Sequence, residues 1–455
     1  MATNFNLKKA INYPALLIAI TVFCFLLYVP IFGNSQAQHA FALLILVVIL
    51  WMTEAIPLPL TGLLIPVIGS FMQLVSPKNA FREFAHPLIF LFMGGFVLAG
   101  ALSRHSLDKL LAQKLIGLAR GNFYKSAILL MLATSLTACW IGNTSSTAMM
   151  IPLAMGMLVL VNKNTVSNES KFLILGIAYA ANLGGVITMV STPPNAIGAA
   201  ILGLSFSKWM SYGFPVFLIT FPIMITLLTI YFKPDKRMII SAMIIKVDAN
   251  SPNKTLAAIF LLTVVLWMMD SILSPLLNIS SGFNSLVAVI SITLLFITRV
   301  LTWEEIIKSI RWEILLLFGG GLTLGMLIDS SGLGEILIGY VAQLATTVPL
   351  IVFIWIVVLF CIILTEFMSN TASAAMILPL LFILANTLHI NPMMLVFPAT
   401  IAASYGFMLP AGSPPNAMAF STGHVPQKDM IKVGMVLNIL LSVILTLFFY
   451  FAFRV

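Results

Sequence analysis

Two short polar phrases occur twice in this chain, each time inside apolar sequence. Gly-Asn-Thr-Ser at 142–145 returns as Ser-Asn-Thr-Ala at 369–372, and Ser-Thr-Pro-Pro-Asn at 191–195 returns as Gly-Ser-Pro-Pro-Asn at 412–416. In both phrases the equivalent asparagines are separated by about half of the 455-residue chain. The pattern predicts a duplicated protein in which each half carries two polar breaks.

These phrases contain residue types that bind small ions. Asn and Thr present hard oxygen ligands, which suit alkali cations, and the free N–H groups at a helix start favour anions. Each Pro-Pro pair removes helix hydrogen bonds and leaves carbonyl oxygens free beside Asn195 and Asn416. Ser, Thr and Asn can also merely join helices within a membrane. Four breaks in two matched pairs favour a transporter's binding site instead.

The composition indicates where these breaks lie. Hydrophobic residues make up 60% of the chain and charged residues 8%, and the mean hydropathy is +1.09. We therefore expect an all-α polytopic protein whose main surroundings are membrane lipid. The net charge of +9 resides in short loops between apolar runs, so it is expected to orient the protein in the membrane. It does not predict a nucleic-acid partner.

Apolar runs that suit a hydrocarbon core about 30 Å thick predict about eleven transmembrane helices. They cover 13–32, 39–54, 57–75, 87–104, 171–202, 213–232, 255–277, 284–300, 312–331, 391–420 and 432–453. The runs 125–161 and 349–386 are too long for one span and hold the Asn-Thr phrases at their centres, so each is predicted to be a re-entrant hairpin. This arrangement places 19 of the 23 basic residues on the side of the N-terminus. The N-terminus is then cytoplasmic and the C-terminus outside.

An odd number of crossings separates the two copies, which predicts repeats inverted in the membrane. The chain is therefore expected to consist of four parts. They are an N-terminal helix in 1–38, a first repeat in 39–232 with hairpin 125–161 and broken helix 171–202, a cytoplasmic linker in 233–254, and a second repeat in 255–455 with hairpin 349–386 and broken helix 391–420.

The fourfold motif set resembles the divalent anion:sodium symporter family, whose members carry Asn-Thr signatures at two hairpin tips and Ser/Thr-Pro-Pro-Asn phrases in two unwound helices. The resemblance implies a homodimer that moves a di- or tricarboxylate, or sulfate, by an elevator motion, with no organic cofactor. It implies a substrate site formed by Asn143, Thr144, Asn370, Thr371, Ser413 and Pro414. It implies sodium sites formed by Gly142, Asn143, Thr192, Asn195, Thr365, Ser369, Asn370, Gly412 and Asn416.

The expected function is secondary-active import of a small dianion, a C4-dicarboxylate such as succinate, coupled to sodium across a bacterial inner membrane. None of the four breaks contains Lys, Arg or His, and helix dipoles supply only about half a charge each, so sodium is the simplest source of compensating charge. Sodium-independent exchange of a dicarboxylate, citrate or sulfate is the alternative, and an exchanger would be expected to place a fixed cation at the site. An ion channel and an intramembrane enzyme are disfavoured, because the sequence shows neither filter repeats nor a nucleophile with a base at membrane depth.

Glu54 and Glu366 are acidic residues in apolar surroundings. Glu54 precedes Ile-Pro-Leu-Pro and is expected at an interface, where it would cap a helix or pair with a basic loop residue. Glu366 stands four residues before Asn370, and an intramembrane carboxylate is by default a functional-site hypothesis. Structural and functional roles for Glu366 both remain open at this point.

Overall fold

A computed structural model describes residues 11–105, 107–161, 166–239, 253–279, 281–336, 339 and 347–454; for 107–109 only the backbone is described. Most of the predicted linker 233–254 and the start of the N-terminal segment lie outside these residues. The α-helices are α1 (Tyr13–Tyr28), α2 (Ser35–Thr53), α3 (Leu58–Phe71), α4 (Pro77–Ala80), α5 (Pro87–Arg104), α6 (Leu107–Gly117), α7 (Phe123–Ile141), α8 (Asn143–Leu160), α9 (Asn168–Gly184), α10 (Pro193–Ile201), α11 (Phe206–Phe232), α12 (Lys254–Met268), α13 (Asp270–Leu276), α14 (Phe283–Ile297), α15 (Trp303–Ser309), α16 (Trp312–Ser330), α17 (Leu350–Phe367), α18 (Asn370–Thr387), α19 (Pro392–Ala402), α20 (Pro414–Ser421) and α21 (Gln427–Phe453).

Within the described residues, nine helices are long and apolar enough to cross a membrane, or ten if α12 and α13 form one span bent by 75°. The helices α1, α3, α14 and α19 are apolar but shorter. Together with α9 and α10, which lie in the predicted broken helix 171–202, these elements fall in the eleven predicted spans and the two predicted hairpin segments. The largest difference at a helix start is at α11, which begins at Phe206 where the sequence predicted 213. The Ser205 side chain caps this helix by accepting from the Lys208 N–H over 3.3 Å.

Each polar phrase interrupts the helical structure. In the first half, Gly142 alone separates α7 from α8, and the two helices pack against each other on either side of it. Residues 185–192 separate α9 from α10. In the second half, residues 368–369 separate α17 from α18, and 403–413 separate α19 from α20. Prolines begin α10 and α20, where their missing N–H groups leave no helix hydrogen bond unmade.

Two close helix contacts relate the halves of the chain. A Cβ built on Gly94 of α5 would lie 2.5 Å from the Cβ of Ala288 in α14, and one built on Gly320 of α16 would lie 2.5 Å from the Cα of Gly62 in α3. The same sequence offset separates Gly94 from Gly320 and Gly62 from Ala288. Glycine allows this close approach of helices in both places. The same contact therefore occurs twice, with the roles of the two halves exchanged.

Candidate substrate and ion site

The first hairpin tip is joined to both broken helices. Asn143, the first residue of α8, donates from Nδ2 to Asn182 Oδ1 over 2.9 Å. Asn182 lies near the end of α9 and donates from its own Nδ2 to Ser413 Oγ over 3.0 Å. Ser413 in turn caps α20 by accepting from the Asn416 N–H. Two hydrogen bonds thus connect the tip in one half to the Pro-Pro-Asn phrase of the other half.

The loop between α9 and α10 is folded around Asn195. The Asn195 Nδ2 donates to the carbonyl oxygens of Gly185 and Thr188, over 2.8 and 2.9 Å. The Thr188 hydroxyl donates to the Cys139 carbonyl near the end of α7, which ties the loop to the hairpin. A Cβ on Gly142 would lie 3.0 Å from the Ser191 carbonyl oxygen, so the tip approaches the loop closely.

The loop between α19 and α20 repeats this arrangement. The Asn416 Nδ2 donates to the carbonyl oxygens of Gly406 and Leu409, over 2.7 and 3.1 Å. Both asparagines are fully buried. In each loop the accepting carbonyls lie ten and seven positions before the asparagine, so the two phrases fold into the same local structure.

Both loops hold buried oxygens that accept no hydrogen bond from the described residues. They include the side-chain oxygens Thr192 Oγ1, Asn195 Oδ1 and Asn416 Oδ1. A buried acceptor without a donor costs free energy, and a small hard cation is one ligand that would satisfy it. The oxygens belong to three of the residues that the resemblance assigns to sodium.

The second hairpin tip makes different contacts from the first. Thr365 is fully buried, and its hydroxyl lies 2.6 Å from Asn370 Oδ1 and 2.8 Å from the Ala403 carbonyl oxygen. Ser369 and Thr371 line a cavity of about 320 Å³ together with Glu54. Glu54 is exposed at the end of α2.

Glu366 fixes the second loop directly. Its Oε1 accepts from the Met408 N–H over 2.8 Å and from Asn438 Nδ2 over 2.7 Å, and its Oε2 accepts from the Leu409 N–H over 2.9 Å. A Cβ on Gly412 would lie 2.7 Å from Oε2. The repeat offset that pairs the two tips also pairs Glu366 with Cys139, so the first loop has no equivalent carboxylate.

Asn182 and Arg311 were not among the predicted site residues. Asn182 stands just before Leu-Gly-Gly at the end of α9, and the repeat pairs it with Ala403 in the second half, so the repeat gave no signal for it. Arg311 precedes α16, and its Nη2 donates to Ser145 Oγ over 2.9 Å. The four breaks do lack cationic residues, but the fold brings the cationic side chain of Arg311 to the first tip.

The predicted site residues therefore fall into two groups. One group is connected through Asn182 and the loop carbonyls, and it comprises Gly142, Asn143, Thr192, Asn195, Ser413 and Asn416. The other surrounds the second tip and comprises Thr365, Ser369, Asn370 and Thr371. Gly412 lies in the second loop, next to Glu366 and Gly406. Thr144 donates to Asn143 Oδ1 from its N–H, and Pro414 begins α20 with its side chain exposed.

In the part of the chain that the structure describes, nine apolar helices with broken, polar segments in their midst define an integral membrane protein of the transporter class. Solved transporters share the fold. The crystal structure of the Alcanivorax borkumensis YdaH transporter aligns with a TM-score of 0.58 at 15% identity, over 83% of this chain and 87% of that one. Neisseria gonorrhoeae MtrF, described as illuminating a class of antimetabolite efflux pumps, aligns with a TM-score of 0.58 at 13% identity, over 97% and 98%.

Sequence comparison identifies the family. The family model described as citrate transporter matches residues 48–400. An uncharacterized transporter of Haemophilus influenzae is 38% identical over 448 residues, 97% of both chains. The sodium-dependent dicarboxylate transporter SdcS of Staphylococcus saprophyticus is 31% identical over 465 residues, 94% of this chain and 89% of that protein. The chain belongs to this family of citrate and dicarboxylate transporters, which confirms the resemblance to divalent anion:sodium symporters. The family and the structural neighbours consist of transporters, which indicates that this protein is not an enzyme.

Proposed function

We propose that this protein is a secondary-active carrier that imports a small dianion, a C4-dicarboxylate such as succinate, together with sodium. The observation that carries the proposal is the pair of equivalent loops around Asn195 and Asn416. Each loop gathers backbone carbonyls beside a Pro-Pro-Asn phrase, and each leaves an asparagine oxygen without a donor among the described residues. Two such loops in one carrier suit two bound cations.

The two hairpin tips supply the anion side of the proposed site. Asn143 and Thr144 at the first tip, and Asn370 and Thr371 at the second, begin helices whose N-terminal dipoles favour negative charge. Ser413 and Pro414 begin a third helix beside the first tip. Sodium ions bound at the adjacent loops would offset the charge that these neutral groups leave uncompensated.

The relatives named sodium-dependent dicarboxylate transporters support this choice of substrate and co-substrate. Uptake of labelled succinate, citrate, tartrate and sulfate into proteoliposomes, with and without a sodium gradient, tests it. We expect sodium-driven uptake that is strongest for succinate. Uptake of all four anions that is indifferent to sodium would contradict the proposal.

Sodium-independent exchange is the second candidate, and one observation favours it. Arg311 places a fixed positive charge against Ser145, the residue after Thr144, where the sequence predicted none. A fixed cation can neutralise part of a dianion's charge without sodium. The two mechanisms differ at zero sodium. An exchanger still moves one anion across the membrane in return for another, whereas a sodium symporter does not.

The architecture proposed for the carrier follows from the repeat and from the family resemblance. The reciprocal contacts Gly94 to Ala288 and Gly320 to Gly62 support a pseudo-two-fold relation between the halves. Together with the distribution of basic residues, this supports inverted repeats, a cytoplasmic N-terminus and an external C-terminus in a bacterial inner membrane. We extend the proposal to a homodimer that works by an elevator motion, for which the family resemblance is the support.

A further inference from the structure

Arg311 occupies a position that neither the motif pattern nor the family resemblance predicts. It lies between α15 and α16, and its Nη2 donates to Ser145 Oγ over 2.9 Å. Its guanidinium carbon lies 6.0 Å from the ring centre of Phe96, within the range of a cation–π contact. Ser145 follows Thr144 directly, so the guanidinium reaches the edge of the proposed substrate site.

The guanidinium has hydrogen-bond donors to spare. Among the described residues, no carboxylate oxygen lies within 4.0 Å of Arg311. Glu313, two residues further on, instead lines the separate cavity with Ser369 and Thr371. A guanidinium carries five N–H donors in a planar fork whose geometry matches a carboxylate. Arg311 is partly buried, and Glu313 acts on its charge only from beyond 4.0 Å, so the surroundings of the guanidinium leave a place for an anionic ligand.

The space beside Arg311 can hold part of such a ligand. Arg311 lines a cavity of about 130 Å³ together with four serines, Ser103, Ser145, Ser191 and Ser309. Three of the serine hydroxyls already donate to protein groups, namely a methionine sulfur and backbone carbonyls. The Ser145 hydroxyl accepts from Arg311, and no group in the described part of the chain accepts its proton. Arg311 and Ser145 therefore offer an anion charged and neutral donors on one side.

We propose that Arg311 binds one carboxylate, or the equivalent charged face, of the carried dianion and so determines the preference for dianions over monoanions. The anion takes a place beside Ser145 at the guanidinium, while Asn143 and Thr144 bind the rest of the molecule. The tip, beside the proposed sodium sites, binds the first carboxylate, and a monoanion places its single carboxylate there as well. A fixed cation at the other end of the ligand favours a dianion, because its interaction depends on the second negative charge. The inference rests on the proposed function in taking a dianion as the ligand.

The test measures binding of succinate and of its half-amide, succinamate, to purified protein by thermal-shift titration. Each titration is run with saturating sodium and with potassium in its place. We expect Arg311→Gln to weaken succinate binding roughly 10- to 150-fold and to change succinamate binding little. Arg311→Lys should fall between, because lysine keeps the charge but lacks the planar fork.

Two further variants separate ligand binding from simpler effects. Arg104→Gln removes a nearby positive charge that is paired with Glu305, so it should leave the ratio of succinate to succinamate affinity unchanged. Ser145→Ala removes the hydroxyl partner and keeps the guanidinium, so it should retain most of the preference for succinate. If Arg311 merely holds the tip through Ser145, Ser145→Ala will instead lose the preference as fully as Arg311→Gln.

The outcomes distinguish this inference from the proposed function. Sodium-dependent succinate binding that is equal in wild type and Arg311→Gln would overturn the role of Arg311 and leave the symport proposal intact. Succinate binding that needs Arg311 but not sodium would support the role of Arg311 and contradict sodium coupling.

Discussion

Asn195 and Asn416 occupy equivalent positions in the two halves of the chain, and their side chains make equivalent hydrogen bonds to backbone carbonyl oxygens. Each donates from Nδ2 to the carbonyl oxygens of the residues ten and seven positions before it, over distances of 2.7 to 3.1 Å. Each is fully buried, and each keeps an Oδ1 that accepts nothing from the described residues. A duplicated helix break has thus kept its hydrogen-bond pattern in both copies.

This relationship predicts that each asparagine shapes a cation site. We expect Asn195→Ala and Asn416→Ala to lower sodium affinity, because each change frees two buried carbonyls and removes one candidate ligand. A lost hydrogen bond of this kind costs roughly 1–3 kcal/mol, or about 5- to 150-fold in affinity. The measurement is sodium-dependent thermal stabilisation of purified protein. Asn79→Ala, at an exposed position, is the control, and wild-type sodium affinity in both loop variants would contradict the assignment.

A second prediction concerns the tips. Asn143→Ala and Asn370→Ala should each weaken substrate binding roughly 10- to 150-fold, since a hydrogen bond to a charged group is worth about 1.5–3 kcal/mol. Proteoliposome uptake with labelled succinate measures the effect, and size-exclusion profiles establish that both variants fold. Asn143→Ala also removes the contact to Asn182, so a double variant with Asn182→Ala should show non-additive losses. Normal uptake in both single variants would rule out the tips as the substrate site.

The backbone at Gly142 gives a third prediction. Its φ of 84° and ψ of 155° lie in a region that is essentially open only to glycine. Gly142→Ala should therefore destabilise the protein by about 1–3 kcal/mol, seen as a lower unfolding midpoint in detergent. Gly117→Ala is the matched control, because Gly117 ends α6 with no heavy atom within 4 Å of an added Cβ. Equal midpoints for the two variants would mean that the tip adopts another conformation.

The inverted arrangement gives a fourth prediction. Lys114 and Thr387 are exposed at positions near the bases of the two hairpin segments, which inversion places on opposite membrane faces. In a background with the exposed Cys24 replaced by Ser, Lys114→Cys should react with an impermeant maleimide only from the inside of cells, and Thr387→Cys only from the outside. Labelling of both from one side would exclude inverted repeats.

The positions of the breaks could be predicted from the sequence because local chemistry determines them. Proline at the start of α10 and α20, and glycine at 142, dictate where a helix cannot continue, whatever surrounds it. Apolar run length likewise predicted most helices to within a few residues.

Contacts between distant residues could not be predicted in this way. Asn182 and Arg311 belong to no repeated phrase, and their roles arise only when α9 meets the first tip and the start of α16 meets Ser145. Glu366 could not be assigned a role because its partner Asn438 lies far along the chain in α21, with no spacing rule to connect them. The repeat offset pairs Glu366 with Cys139, but only the fold shows that Glu366 holds the second loop through the Met408 and Leu409 N–H groups.

Sodium coupling is the central claim, and counterflow in sodium-free liposomes tests it most directly. Liposomes loaded with unlabelled succinate and placed in labelled succinate, with potassium as the sole alkali cation, should show almost no exchange. Adding sodium to both sides should restore exchange, because the loops around Asn195 and Asn416 would then supply the positive charge that the dianion requires. Rapid exchange at zero sodium, lost in Arg311→Gln, would contradict sodium coupling and identify Arg311 as the source of that charge.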